Sequence, residues 1–120
     1  MENHNIRLAI ADDHAILRQS LKNILNSREN LSVVFDAGDG RELLEKLQTH
    51  EVDVVLLDLE MPVMSGIEAL LEIRSTNPKV KCLILSYFNE LEFAVNAIKN
   101  GAKGFISKNC TPNFAHYLVF

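Results

Sequence analysis

The chain has 120 residues, 48% hydrophobic and 23% charged, with a formal net charge of −4. That length holds one domain with a single core, and the acidic balance argues against a bulk electrostatic grip on nucleic acid, which needs basic patches. No apolar run reaches membrane-spanning length, MENHNIR is no signal peptide, and Cys82 and Cys110 are too few for a disulfide framework or a zinc site, so a cytoplasmic protein is expected.

Short runs rich in Ile and Val alternate with segments of helical period. Ile6 to Ala11 reads as a first strand, followed by Asp12-Asp13, and Leu17, Leu21 and Ile24 then share a helical face. Ser32 to Asp36 is the second strand, and Leu43, Leu44 and Leu47 line the second helix. The third strand, Val52 to Leu57, runs straight into Asp58. Ser65-Gly-Ile-Glu68 fits a capping box opening a third helix, with Ile67, Leu70 and Leu71 on one face. Val80 to Leu85 is the fourth strand, ending at Ser86, and Cys82 within it reads as a buried thiol. Leu91, Val95 and Ile98 share a face of the fourth helix, with Phe93 pointing away, and Asn100-Gly101 fits its left-handed stop. Gly104 to Ser107 is the fifth strand, and Thr111-Pro112 fits the start of a fifth helix.

Strands one, three and four are apolar on both faces, which suits a parallel sheet covered by helices on both sides. Five βα units of this size predict a doubly wound α/β domain of flavodoxin-like (βα)5 type, with strand order 2-1-3-4-5.

In such sheets ligands bind beyond the carboxyl ends of the strands. There the pattern places Asp12 and Asp13, Asp58, Ser86 and, after the fifth strand, Lys108. Strands one and three are neighbours, so Asp12, Asp13 and Asp58 converge. Their oxygen-only character suits a hard cation such as Mg2+. Lys108 adds a fixed positive charge and Ser86 a hydroxyl. Such a set fits phosphoryl transfer, where positioning and charge neutralisation do most of the work and an Asp can serve as nucleophile. Taken singly, Asp12-Asp13 fits a turn or helix cap equally well, Asp58 a loop cap, and Lys108 and Ser86 a solvated surface. The case rests on all of them falling at one edge.

This set, with LLDLEMPVMSGIE (56–68) and GAKGFISK (101–108), resembles the receiver domain of two-component response regulators, over residues 6 to about 112. The resemblance implies that Asp58 accepts a phosphoryl group from a histidine kinase or phosphotransfer protein. It implies Mg2+, with Mn2+ as a substitute, held by Asp13, Asp58, the main-chain carbonyl of Glu60 and, through water, Asp12. It gives Lys108 and Ser86 to the phosphoryl group, and Phe105 to an aromatic switch moving with Ser86. It also implies a partner surface on the fourth helix, fifth strand and fifth helix, where Phe93 is a contact candidate and a homodimer can form. Neither nucleic-acid nor membrane binding is implied for this domain.

Some positions depart from the family pattern. Ser65 stands where Asp is frequent, and caps a helix equally well. Phe105 stands where Tyr is frequent and lacks the hydroxyl. Glu60 and Phe88, two residues beyond Asp58 and Ser86, are expected to flank the phosphoryl group and tune its lifetime. The terminal NFAHYLVF is apolar on most sides, whereas a surface helix is amphipathic. The second half most resembles receivers preceding a LuxR-type helix-turn-helix output domain. A receiver separated from such a regulator is therefore the leading expectation, and a stand-alone receiver acting through protein contacts the alternative. A Mg2+-dependent phosphatase of the haloacid dehalogenase type also uses an Asp nucleophile, but after the first strand and with a second Asp two residues on, where this chain has Glu60.

Overall fold

A computed structural model describes residues 5–86 and 91–107. Five strands form one parallel sheet: β1 (Ile6–Ala11), β2 (Leu31–Ala37), β3 (Val54–Asp58), β4 (Lys81–Ser86) and β5 (Gly104–Ser107). Their order is β2-β1-β3-β4-β5, as expected for the doubly wound fold. The intervening helices are α1 (Ala15–Asn26), α2 (Gly40–Leu47), α3 (Gly66–Thr76) and α4 (Leu91–Lys99).

Side chains alternate across the sheet with period two, so each inner strand feeds two cores. On one face Leu8 and Ile10 of β1 and Val54 and Leu56 of β3 meet Leu21 and Leu25 of α1. On the other, Ala9, Ala11, Val55, Leu57 and Ile84 meet Leu43 and Leu47 of α2, Leu70 and Ile73 of α3, and Ala97 of α4. All five residues of β3 are buried, which explains why its sequence carries no polar alternation. Full burial of a Leu or Ile contributes about 1.5–3 kcal/mol, so this double-sided packing holds the central strands rigidly.

Local chemistry fixes the helix ends. The Ser65–Glu68 capping box forms in both directions. Asp39 caps α2 by accepting from the Glu42 amide at 2.8 Å, a cap not expected from the sequence. After α4, Gly101 has φ +113, a left-handed stop that favours glycine. At the amino edge of the sheet, the Asp53 carboxylate accepts from the Arg7 amide at 2.8 Å and from Arg7 Nη2 at 3.1 Å. These bonds staple the starts of β1 and β3 and hold the Asp53 carboxyl below its ordinary range, the Arg7 side-chain hydrogen bond being the main cause.

Several expectations need correction. β3 starts at Val54 rather than Val52 and includes Asp58, while β4 runs from Lys81 through Ser86. Val52 is nonetheless buried, because the core extends below the hydrogen-bonded ladder. The inward stripe of α1 is Leu17, Leu21 and Leu25, with Leu25 fully buried, whereas Ile24, expected on that face, is half-buried and outside the core. In α3 the buried positions are Ala69, Leu70 and Ile73, and Leu71 is exposed. In α4 the buried positions are Ala94 and Ala97, whereas Val95 and Ile98 are 45% and 41% exposed. Small alanines let α4 approach the sheet closely and turn its larger apolar residues outward. Lys108, Phe88, the Thr111-Pro112 cap and the fifth helix lie outside the described residues.

Candidate functional site

β1 and β3 pair with Ala11 opposite Leu57, so the next residue of each chain segment, Asp12 and Asp58, falls at the same level of the sheet edge. Both are buried, Asp12 completely and Asp58 to 2% exposure. On the other side of β3, Asp58 pairs with Leu85, immediately before Ser86. Ser86 in turn pairs with Ser107, the last residue of β5. Parallel register alone thus brings three strand ends together, and the order of the sheet makes Asp58 the centre.

The segment after Asp58 turns tightly around the carboxylate. The Glu60 amide donates to Asp58 Oδ1 at 3.2 Å, orienting that carboxyl, while the Glu60 side chain is exposed. The Gly66 amide donates to the Leu59 carbonyl at 2.9 Å. A Cβ on Gly66 would overlap the Asp58 carbonyl oxygen and lie 2.6 Å from Leu59 Cα, so only glycine permits this approach. Between them Val63 has φ +70, rare for a β-branched residue, and the Met64 amide donates to the Pro62 carbonyl at 2.7 Å. That bond around a positive-φ centre is a strained γ-turn.

The other acids are held from α1. His14 precedes that helix, and both its amide (2.7 Å) and Nδ1 (2.9 Å) lie against Asp12 Oδ1. Arg18 donates from Nη1 to the Asp12 carbonyl at 2.6 Å and from Nε to Asp36 Oδ2 at 2.6 Å. Lys22 adds a bond to Asp36 Oδ1 at 3.1 Å. Burial raises the Asp36 carboxyl, but the hydrogen bonds and charges of Arg18 and Lys22 outweigh it and hold the group below its ordinary range. His14, Arg18 and Asp36 were missed in the sequence. The spacing Asp12 to Arg18 over one helical turn and a half was the available signal, though the partner Asp36 comes from another strand.

Asp12, Asp13, His14 and Asp58 each offer a ligand atom, and these atoms all lie within 4.8 Å of one another. Three carboxylates in that space repel one another and are relieved by a cation. The set can hold a metal, and its oxygen donors fit a hard divalent ion. Of the other expected residues, Ser86 is buried at the edge, Phe105 on β5 is 39% exposed, and Phe93 on α4 is 59% exposed. Phe93, Val95, Ile98 and Phe105 together give α4 and β5 several exposed apolar side chains.

Comparison with known proteins agrees with this geometry. The response regulator receiver domain family matches residues 8–118. The chain belongs to that family. The receiver is 41% identical over 105 residues to the oxygen regulatory protein NreC of Staphylococcus haemolyticus, covering 87% of this chain and 48% of that protein. It is 43% identical, with the same coverage, to NreC of Staphylococcus epidermidis. The receiver therefore spans about half the length of the curated relatives it matches. Among solved structures, the response regulator domain of Thermotoga maritima CheB superposes with TM-score 0.84 at 32% identity, covering 93% of this chain and 92% of that one. The receiver domain of the putative response regulator NarL from Mycobacterium tuberculosis gives TM-score 0.81 at 32% identity, covering 88% and 86%. A LuxR-family response regulator from Aurantimonas gives 0.80 at 31%, covering 87% and 74%. The receiver fold and its place in two-component signalling follow.

Proposed function

We propose that Asp58 is the phosphoacceptor of a signalling switch. One observation carries the reading: Asp58 ends the central strand, buried, with Asp12, Asp13 and Ser86 gathered on the neighbouring strand ends. An Asp58 carboxylate oxygen attacks the phosphorus of a phosphohistidine on a histidine kinase or phosphotransfer protein. The P–N bond breaks, the imidazole leaves, and Asp58 becomes an aspartyl phosphate. The Glu60 amide presents the carboxylate, and the buried strand limits its rotamers.

Asp13 and Asp58, the Glu60 carbonyl and, through water, Asp12 would hold Mg2+. When bound, that ion neutralises charge on the phosphoryl oxygens. Ser86 donates a hydrogen bond to the phosphoryl group and Lys108 pairs with its charge. Phosphorylation adds about −1.5 to −2 charge, and Ser86 moving toward it biases Phe105 at the next strand. The change reads out on α4 and β5, where Phe93 is a contact residue. Glu60, beside the site, and Phe88 set the phosphoryl lifetime. Similarity to NreC and to a LuxR-family regulator supports control of a DNA-binding output domain, with the receiver itself acting as a switch rather than an enzyme.

The test is intact mass after incubation with Mg2+ and a small phosphodonor. One added phosphoryl group in the parent and none in Asp58→Asn is the expected result. No adduct, or an adduct persisting in the variant, overturns the assignment.

A further inference from the structure

His14 is not used by the mechanism above. It occupies the N-cap position of α1, with φ −87 and ψ 98, yet its side chain does not cap the helix. The ring instead turns back over the acids, with Nδ1 2.9 Å from Asp12 Oδ1 and 3.2 Å from Asp13 Oδ1. The side chain is 54% exposed, so no packing forces that orientation.

These spacings can be compared with a coordination sphere. Ligand atoms about 2.1 Å from an octahedral cation lie roughly 3.0 Å apart when adjacent and roughly 4.2 Å when opposite. The 3.2 Å from Nδ1 to Asp13 Oδ1 matches an adjacent edge, the 2.9 Å to Asp12 Oδ1 places Asp12 close enough to reach the ion through water, and the whole set of Asp12, Asp13, His14 and Asp58 falls within 4.8 Å. In the Nε2–H tautomer, Nδ1 offers a lone pair toward the centre of the carboxylates. Mg2+ takes oxygen and water, whereas imidazole suits first-row transition dications.

We infer that His14 adds a nitrogen ligand to this cation site, making it favour a transition dication of the Fe2+ to Zn2+ range over Mg2+ more strongly than the carboxylates alone would. The inference rests on reading Asp13 and Asp58 as direct cation ligands, with Asp12 reaching the ion through water. Apart from a cation, the same imidazole bridges the two carboxylates by hydrogen bonding, so one side chain serves both states. The cation identity would then respond to the local supply of transition metal, while Asp58 keeps its place in either case.

The probe is Co2+ in competition with Mg2+, followed by calorimetry and by proton NMR of hyperfine-shifted imidazole signals. Only the Co2+ displaced by Mg2+ is counted, which removes binding at other histidines. In His14→Ala, Co2+ affinity should fall about tenfold or more while Mg2+ affinity changes less than about threefold. His14→Gln, which can still hydrogen-bond to Asp12, should retain the parent's Mg2+ affinity and lose the Co2+ preference. A shifted, exchangeable imidazole proton should be present in the parent and absent in both variants. Equal losses for both cations, an unchanged ratio, or no shifted imidazole signal overturns the inference. Mg2+ and Co2+ binding that is indifferent to Asp58→Asn would instead overturn the underlying site assignment.

Discussion

The Arg18 guanidinium reaches the Asp12 carbonyl and the Asp36 carboxylate at 2.6 Å each. One side chain of α1 thus joins the carboxyl ends of β1 and β2 and sets the height of the acid pair above the sheet. Arg18→Ala removes both bonds and leaves a partly buried carboxylate with Lys22 alone. Stability should fall by about 1–3 kcal/mol in a urea titration. Cation affinity should fall as well, because the Asp12 main chain keeps its amide bond to the Ala37 carbonyl but loses the second anchor on its own carbonyl.

Gly66 lies against the main chain of Asp58 and Leu59. Gly66→Ala must displace that backbone, which no side-chain rotation can relieve. A loss of about 2–4 kcal/mol is expected, measured by the denaturant midpoint. In the fraction that folds, phosphorylation should also slow, because the shifted segment carries the amide that orients Asp58.

Val63 should behave oppositely. It is 72% exposed with φ +70, so its side chain contributes little packing while its backbone is strained. Val63→Gly, which has no Cβ to clash at the positive φ of the γ-turn centre, should stabilise by about 0.5–1 kcal/mol. A thermal melt checks the sign.

Acid should weaken the fold through Asp36 and Asp53. Both carboxyls lie below the ordinary value of 3.8, offset upward by burial at Asp36 and lowered mainly by the Arg7 hydrogen bond at Asp53. The folded chain therefore holds these protons less tightly than the unfolded chain. Their contribution is complete above the unfolded pKa and is lost as pH falls through the folded values. Asp36→Asn and Asp53→Asn should each flatten the decline of urea stability below about pH 4. Cys82, pushed up to about 12 by burial, should stay unreactive to thiol reagents at neutral pH.

On α4, Phe93→Ala combined with Val95→Ala removes two exposed apolar side chains without touching the buried Ala94 and Ala97. Folding stability should move by less than about 0.5 kcal/mol, while self-association or partner binding of the phosphorylated receiver weakens. Sedimentation before and after phosphorylation checks both statements, and unchanged association in both states removes the contact role.

The sheet order and the acid cluster were legible because both follow from strand ends, and strand ends show as the point where an apolar run meets Asp12 or Asp58. Helix faces were less legible. In α4 the eye follows Leu, Val and Ile, but alanines face the sheet, where close approach favours small side chains. The clamps around the site were not legible at all, since Arg18 and Asp36 are far apart in sequence and meet only through the β1–β2 pairing. Glu60 shows the same limit: the family resemblance gives its main-chain carbonyl to the cation, but the hydrogen bond from its amide to Asp58 Oδ1 comes from a group every residue except proline carries and leaves no mark in the sequence.

The most direct test locates the phosphoryl group. Borohydride reduces an aspartyl phosphate to homoserine, marking the modified residue for peptide mass spectrometry. After treatment with a small phosphodonor and Mg2+, homoserine at position 58 alone is the expected result. Homoserine at position 12 or 13, or none at any position despite an intact fold, contradicts the assignment of Asp58.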